Sequence, residues 1–246
     1  MLKILNWRKK LVDLSCLEGS KNPINWFRIK RFKKSFFKEH PTYFKPDGLL
    51  MFCGAQGTGK TLSAVNYVRE LSWFYPKCII CSNVEIEGLN PSCKFIEYDG
   101  IDCLTRIENG YNGVIYLIDE IHLEFNSLES KNIPIEVMIE VAQQRKQRKH
   151  IVGTSQQFMR LAKPLREQVR NLVLCKNIFG CIQINTLIDG STITEKDGKI
   201  VMDIKKRSIW FHSPDLYNSY DTYKKMKRYR KEWHGVTNIS NNMYGG

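Results

Sequence analysis

A chain of 246 residues with 42% hydrophobic side chains suits one domain of generous size, or one domain with extensions, and is long enough to bury a core. Its 38 Lys and Arg against 25 Asp and Glu leave a net charge of +13, which implies an anionic partner, nucleic acid first and a membrane surface second. No apolar run approaches the roughly 18 residues of a membrane span, and the start Met1-Leu2-Lys3-Ile4-Leu5-Asn6-Trp7 lacks a signal peptide's hydrophobic stretch, so the expected setting is cytoplasmic or at most peripheral to a membrane.

Residues 1–46 read as a basic aromatic N-terminal extension, with twelve Lys or Arg against three acids and Trp7, Trp26, Phe27, Phe32, Phe36 and Phe37 interleaved. Between Ile24 and Glu39 the apolar Ile29, Phe32 and Phe36 recur at helical spacing, while Arg28, Lys30, Arg31, Lys33, Lys34 and Lys38 fill the other faces. Such a helix can grip phosphates, lie on anionic lipid, or pack its aromatics on a core and expose its charges; the pattern leaves all three open.

Residues 47–178 read as the core. The apolar run Leu49–Cys53 leads into Gly54-Ala55-Gln56-Gly57-Thr58-Gly59-Lys60-Thr61, which spells the full P-loop pattern, and a helical stretch over 62–73 follows. A strand handing over to a helix is the context this motif requires. Backbone N–H groups of the glycine-rich turn and of the helix N-terminus make a positive concavity for a di- or triphosphate. Lys60 then reaches the β- and γ-phosphates and the Thr61 hydroxyl binds Mg²⁺, so ATP and Mg²⁺ are the expected cofactors.

Further apolar runs at 78–82, 114–118, 151–154 and 172–175 alternate with helical patterns. Continuous runs of this kind suit strands buried on both faces, hence an α/β fold with a mostly parallel sheet between helices. Two domains of the P-loop kind would not fit this length. Eight cysteines stand at 16, 53, 78, 81, 93, 103, 175 and 181. Only Cys78 and Cys81 have metal-like spacing, and in a strand they face opposite sides, so reduced core cysteines are expected.

The run Val114-Ile115-Tyr116-Leu117-Ile118 ends in Asp119-Glu120, the Walker B pattern. Asp119 is placed to hold Mg²⁺, and Glu120 to orient and deprotonate the attacking water. A glutamate directly after that aspartate marks the RecA-like branch of P-loop NTPases, which carries an extra strand between the two motifs; 78–82 is expected to be that strand. The branch's third element is a polar residue closing the next strand, and Ile151-Val152-Gly153-Thr154-Ser155-Gln156 offers Gln156 as the γ-phosphate sensor.

Charge is segregated around this site. Residues 97–140 hold ten acids against two bases, whereas 141–170 hold eight Lys or Arg against Glu167 alone. One basic cluster can supply an arginine finger or contact a DNA backbone; Arg145 and Arg148 are first choices for the finger, with Arg166 and Arg170 behind them. Residues 179–212 change grammar: 182–187 alternates, Asp189-Gly190 and Asp197-Gly198 are turn signals, and 199–211 is strand-like, so an antiparallel β-meander is expected to complete the domain. Residues 213–246 form a basic polar tail.

Asp119-Glu120-Ile121-His122 also reads like the DExH box of superfamily 2 helicases, which need a second RecA-like domain; fewer than 80 residues remain after Phe179. The order of P-loop, Asp-Glu strand, basic helix and Thr-Ser-Gln instead resembles the FtsK/HerA superfamily of DNA-pumping ATPases. Within it the likeness, over about 48–175, is to zonula occludens toxin-like assembly ATPases of filamentous phages and to small packaging ATPases of membrane-containing phages. Arg145, Ile151 and Gln156 fall in register with the toxin-like pattern, while its glycine and aspartate are Arg148 and His150 here, and the membrane span of many members is lacking. The resemblance implies a homo-oligomeric ring that translocates viral DNA during genome packaging or virion assembly. It leaves open an action on capsid or coat proteins at a membrane reached through residues 1–46, and a virion-associated location.

Overall fold

The structure is a computed structural model that describes residues 24–220 apart from 42, 46–47, 129–130, 132 and 197–198. Trp7 and the tail beyond 220 lie outside the described residues. The chain divides into two units at Pro41. In the first, α1 (Ile24–Glu39) is the helix that the 24–39 periodicity predicts. Ile24, Phe27, Ile29 and Phe32 on it are each more than half exposed, and Phe36 stacks on Phe32.

The second unit begins earlier than residue 47, because Phe44 is buried and its ring packs edge-on against Tyr75. Its elements run β1 (Leu49–Cys53), α2 (Lys60–Phe74), β2 (Ile79–Ser82), β3 (Lys94–Glu97), α3 (Cys103–Arg106), β4 (Val114–Ile118), α4 (Ile135–Gln143), β5 (Lys149–Ser155), α5 (Lys163–Arg166), β6 (Val169–Ile178), β7 (Ile182–Asp189), β8 (Thr194–Lys196), β9 (Lys199–Val201), β10 (Ile204–Phe211) and α6 (Pro214–Asn218). The main sheet has eight strands in the order β10-β7-β6-β1-β5-β4-β2-β3. From β6 to β3 every pairing is parallel, and β7 and β10 add antiparallel strands on the β6 side, with β8 and β9 forming a separate two-stranded ribbon.

The apolar runs are buried on both faces, and period-two alternation sorts them into two cores. Leu49, Met51, Val114, Tyr116 and Ile118 face α3, α4 and α5, with Val137, Val141 and Leu165 among their neighbours. Leu50, Phe52, Ile115 and Leu117 face α2 through Ala64, Val65 and Val68. Cys78 belongs to the second core and Cys81 to the first, so the two thiols diverge as strand geometry requires. The seven described cysteines other than Cys16 are all free thiols.

One sequence expectation is corrected. The strand between the P-loop strand β1 and the Asp-Glu strand β4 is β5; 78–82 forms β2 and lies on the far side of β4. After β4 the chain returns through α4 and inserts β5 beside β1, so neighbours in sequence are not neighbours in the sheet. The strand β3 had no apolar run to reveal it, since it sits at the sheet edge with only Ile96 half-buried.

Candidate active site

At the C-terminal edge of the parallel strands, β1 leaves the sheet at Cys53 and turns through 54–59 into α2. Gly57 and Gly59 both hold φ of 77°, a left-handed conformation that side chains resist. Gly59 is excluded from carrying a side chain a second time, because a Cβ there would collide with the amide of Gln183. As N-cap of α2, Gly59 offers no side-chain cap, so the first N–H groups of a fifteen-residue helix stay open to an anion. Thr58 N–H and Oγ1 both donate to Ala55 O, at 3.4 and 2.7 Å, which pins the turn. Lys60, 7% exposed, folds its ammonium back onto Ala55 O at 3.1 Å.

Asp119 and Glu120 stand at the end of β4, across β5 from this loop. Thr61 Oγ1 donates to Asp119 Oδ1 at 2.8 Å, and Thr154 Oγ1 of β5 donates to the same oxygen at 2.7 Å. The Thr154 hydroxyl in turn accepts from Glu120 N–H at 2.9 Å. Asn83, just past β2, clamps the backbone of Asp119 with its side-chain amide, accepting from the N–H at 2.8 Å and donating to the carbonyl at 3.0 Å. Three strand ends are thereby tied at one residue, Asp119.

Glu120 has φ 52° and ψ 45°, left-handed backbone that is uncommon for a residue other than glycine and gathers at functional sites. Its side chain is 24% exposed, yet Oε2 is buried and makes no hydrogen bond. His122 Nδ1 lies 3.1 Å from that oxygen but out of hydrogen-bond alignment, and 3.3 Å from Ser155 Oγ. Burial, and then the neighbouring Asp119, push the Glu120 carboxyl above its ordinary range; Lys60, Arg160 and the nearby Gln156 amide oppose them. Burial, then the charges of Arg160 and Lys60, pull His122 down, so the ring is neutral at neutral pH and the contact is not an ion pair. The arrangement is a carboxylate with one oxygen free to take a proton, beside a hydroxyl and a carboxylate suited to a hard cation.

Of the residues picked from sequence, the loop 54–61, Asp119, Glu120 and Gln156 therefore converge. Arg145 and Arg148 do not join them. Both precede β5, at the opposite edge of the sheet. Arg148 lies between two rings, 4.6 Å from the Tyr43 centroid and 4.5 Å from that of Tyr111, and donates to Tyr43 Oη at 2.8 Å. Arg145 is exposed, near Arg170 at the backbone of Gly48. Arg166 donates to Met159 Sδ at 2.9 Å. Sequence reasoning missed Asn83 and the influence of Arg160. A polar residue closing the run at 78–82 was a readable signal for Asn83; nothing local announced Arg160.

No protein-family model matches the chain, and no curated protein matches it. Among solved structures, the N-terminal domain of zonular occludens toxin from Neisseria meningitidis superposes with a TM-score of 0.51 at 18% identity, over 71% of this chain and 98% of that one. In fold, the chain is similar to that domain. The RecA-like P-loop core and its antiparallel extension are thus the architecture that the motifs foretold. The genome packaging NTPase B204 from Sulfolobus turreted icosahedral virus 2, in complex with ATP-gammaS, gives 0.46 at 12% identity over 69% and 98% of the two chains. The DNA-packaging ATPase B204 from Sulfolobus Turreted Icosahedral Virus gives 0.42 at 10% identity over 64% and 97%.

Proposed function

We propose that the chain is a Mg²⁺-dependent ATPase that works as a homo-oligomeric ring and translocates viral DNA during genome packaging or virion assembly. The observation that carries the reading is the junction at Asp119: one carboxylate oxygen shared by the hydroxyls of Thr61 and Thr154, with the unbonded Oε2 of Glu120 beside it. A hydroxyl and a carboxylate in contact are the donors a hard divalent cation takes, and the uncapped start of α2 with Lys60 beside it suits a triphosphate. In this reading the backbone of 54–61 and Lys60 bind the phosphates, while Thr61 and Asp119 hold Mg²⁺. When bound, the cation supplies neutralising charge to the phosphate oxygens. Glu120 takes the proton of the attacking water, and Gln156 orients Glu120 and senses the γ-phosphate. Catalysis then rests on positioning and electrostatics, which is what phosphoryl transfer asks of a protein.

Arg145 of a neighbouring copy is the proposed source of a further cation to offset charge on the leaving phosphate. Phosphate release from the purified chain, with and without double- and single-stranded DNA, tests the reading. Turnover stimulated by one of them, and DNA binding that weakens steeply with salt, are expected. A chain that hydrolyses no nucleoside triphosphate, or holds DNA indifferently to salt, refutes it.

A second reading is favoured by α1, whose exposed Ile24, Phe27, Ile29 and Phe32 share a helix with six Lys or Arg. Such a helix suits the surface of anionic lipid, and the ATPase would then act on coat or capsid proteins at a membrane. Flotation with anionic liposomes, with and without residues 1–41, separates the two: loss of flotation in the shortened chain supports the membrane role, and no flotation of either chain sinks it.

A further inference from the structure

The P-loop has a second support that no motif records. Gln183, on β7 of the antiparallel extension, is 0% exposed and reaches beneath the loop. Its Nε2 donates to the backbone carbonyl of Thr58 at 3.0 Å and to Asn185 Oδ1 at 2.9 Å. Asn185 Oδ1 also accepts from Ser63 Oγ of α2 at 3.3 Å, so neighbouring inward positions of one strand hold both the loop and the helix that follows it. On its other side, Gln183 Oε1 lies 3.2 Å from His212 Nε2, at the end of β10. His212 Nδ1 in turn lies 2.5 Å from Tyr217 Oη, which donates to Gly180 O at 2.7 Å.

We propose that Gln183 is a positioning residue for nucleotide binding: it fixes the Thr58 carbonyl toward β7, so that the loop's N–H groups face the phosphates, and His212 fixes Gln183. A peptide unit that turns its carbonyl toward an anion repels it and withdraws an N–H from it, so an anion site built of backbone donors works only if its carbonyls are held elsewhere. Thr58 has Gln183 as its holder. In addition, the bare Cα of Gly59 leaves the space that the Gln183 amide occupies, so the left-handed glycine and the buried glutamine fit as one unit. A buried amide kept only for its own hydrogen bonds would have no need to abut the P-loop backbone. The extension β7–β10 is on this account part of the nucleotide site rather than an ornament on the sheet.

The proposal rests on the nucleotide-site reading, and its test separates the two. Gln183→Met keeps the volume and removes both polar atoms; His212→Phe, at a partly exposed position, removes only the partner that orients Gln183. In the full chain, ADP affinity by titration calorimetry should weaken about 5- to 30-fold in Gln183→Met, the fold-change for losing the hydrogen bond that holds the Thr58 carbonyl. In His212→Phe it should weaken about two- to fivefold, since one link of the chain is lost. KM for ATP should rise in parallel while kcat at saturation falls by less, a split that loss of general stability does not produce. Unchanged ADP affinity in a folded Gln183→Met overturns the proposal, whatever happens to its Tm. If that variant does not fold, unchanged affinity in His212→Phe overturns it instead. A wild-type chain that binds no nucleotide overturns the ATPase reading and this proposal together, whereas wild-type binding with unaffected variants overturns this proposal alone.

Discussion

Replacing Glu120 with Gln changes one oxygen for an amide nitrogen at nearly constant volume, and the structure says what each consequence should be. The buried, unbonded Oε2 is the proton acceptor of the proposed chemistry, so kcat should fall about 10²- to 10⁴-fold, the usual share of a general base. ADP affinity should hold, because Lys60, Thr61 and Asp119 keep their contacts. Stability should move the other way. The folded-state pKa of Glu120 is raised above the ordinary 4.5, first by burial and then by Asp119, so the folded state favours the neutral form. Its contribution is fully present below the unfolded pKa and is lost as pH rises through the folded one; at pH 7.5 the wild type therefore carries a buried charge that the amide removes. Relief of such active-site strain is commonly worth about 0.5–2 kcal/mol, or about 1–8 °C in Tm for a domain of this size. Phosphate release and calorimetric melting at pH 7.5 and pH 4 check both halves, and the Tm gain should shrink at pH 4, where the wild-type carboxyl is largely protonated. Undiminished turnover, or a variant that melts below wild type at pH 7.5, refutes the assignment.

Four other outcomes follow from the same geometry. Lys60→Ala should abolish detectable ADP and ATP binding while leaving the fold intact, read by calorimetry and circular dichroism. Because the charge of Arg160 holds the Glu120 carboxyl down, Arg160→Met should move the acid limb of the kcat/KM–pH profile to higher pH; an unmoved limb would show that Arg160 does not act on the base. Lys149 is 1% exposed and donates to Leu104 O and Glu140 Oε2, both at 2.7 Å, so Lys149→Met should destabilise by about 2–3 kcal/mol in urea unfolding, somewhat below a wholly buried pair because Glu140 is 18% exposed. Arg145→Ala should lose turnover yet keep ADP affinity, and mixing it with Glu120→Gln should restore part of the activity if sites are completed between copies; no recovery in the mixture counts against a shared site.

What the sequence disclosed was local, and what it hid was long-range. The P-loop and the Asp-Glu pair are legible because their chemistry demands fixed residue types within a few positions, and β1 and β4 because burial on both faces writes a continuous apolar run. Nothing comparable marks β3, whose Lys94-Phe95-Ile96-Glu97 pairs with β2 alone at an edge. The five-residue α6 had a readable start in Ser213-Pro214-Asp215, with Ser213 capping Leu216 N–H, but was too short for periodicity to show it. Asn83, Gln183 and Tyr43 beside Arg148 owe their roles to pairings 36, 125 and 105 residues away in sequence, and spacing within a single chain carries no trace of such pairings.

If the site is shared between copies as proposed, the strand β5 decides which arginine could serve it. It carries Thr154 and, one residue past its end, Gln156 at the edge where Asp119 and Glu120 stand, and Arg148 immediately before its start. Seven residues at a strand's rise of about 3.3 Å put these ends about 20 Å apart, which exceeds the reach of an arginine side chain. An arginine ahead of β5 therefore cannot serve the nucleotide of its own chain, and in the proposed ring it would have to serve a neighbour's. The two candidates are not equivalent there. Arg148 has its guanidinium between two rings and bonded to Tyr43, so delivering it would first break those contacts, whereas Arg145 is exposed in the turn between α4 and β5. Arg148 is better suited to stiffen that turn, and Arg145 to reach across from it.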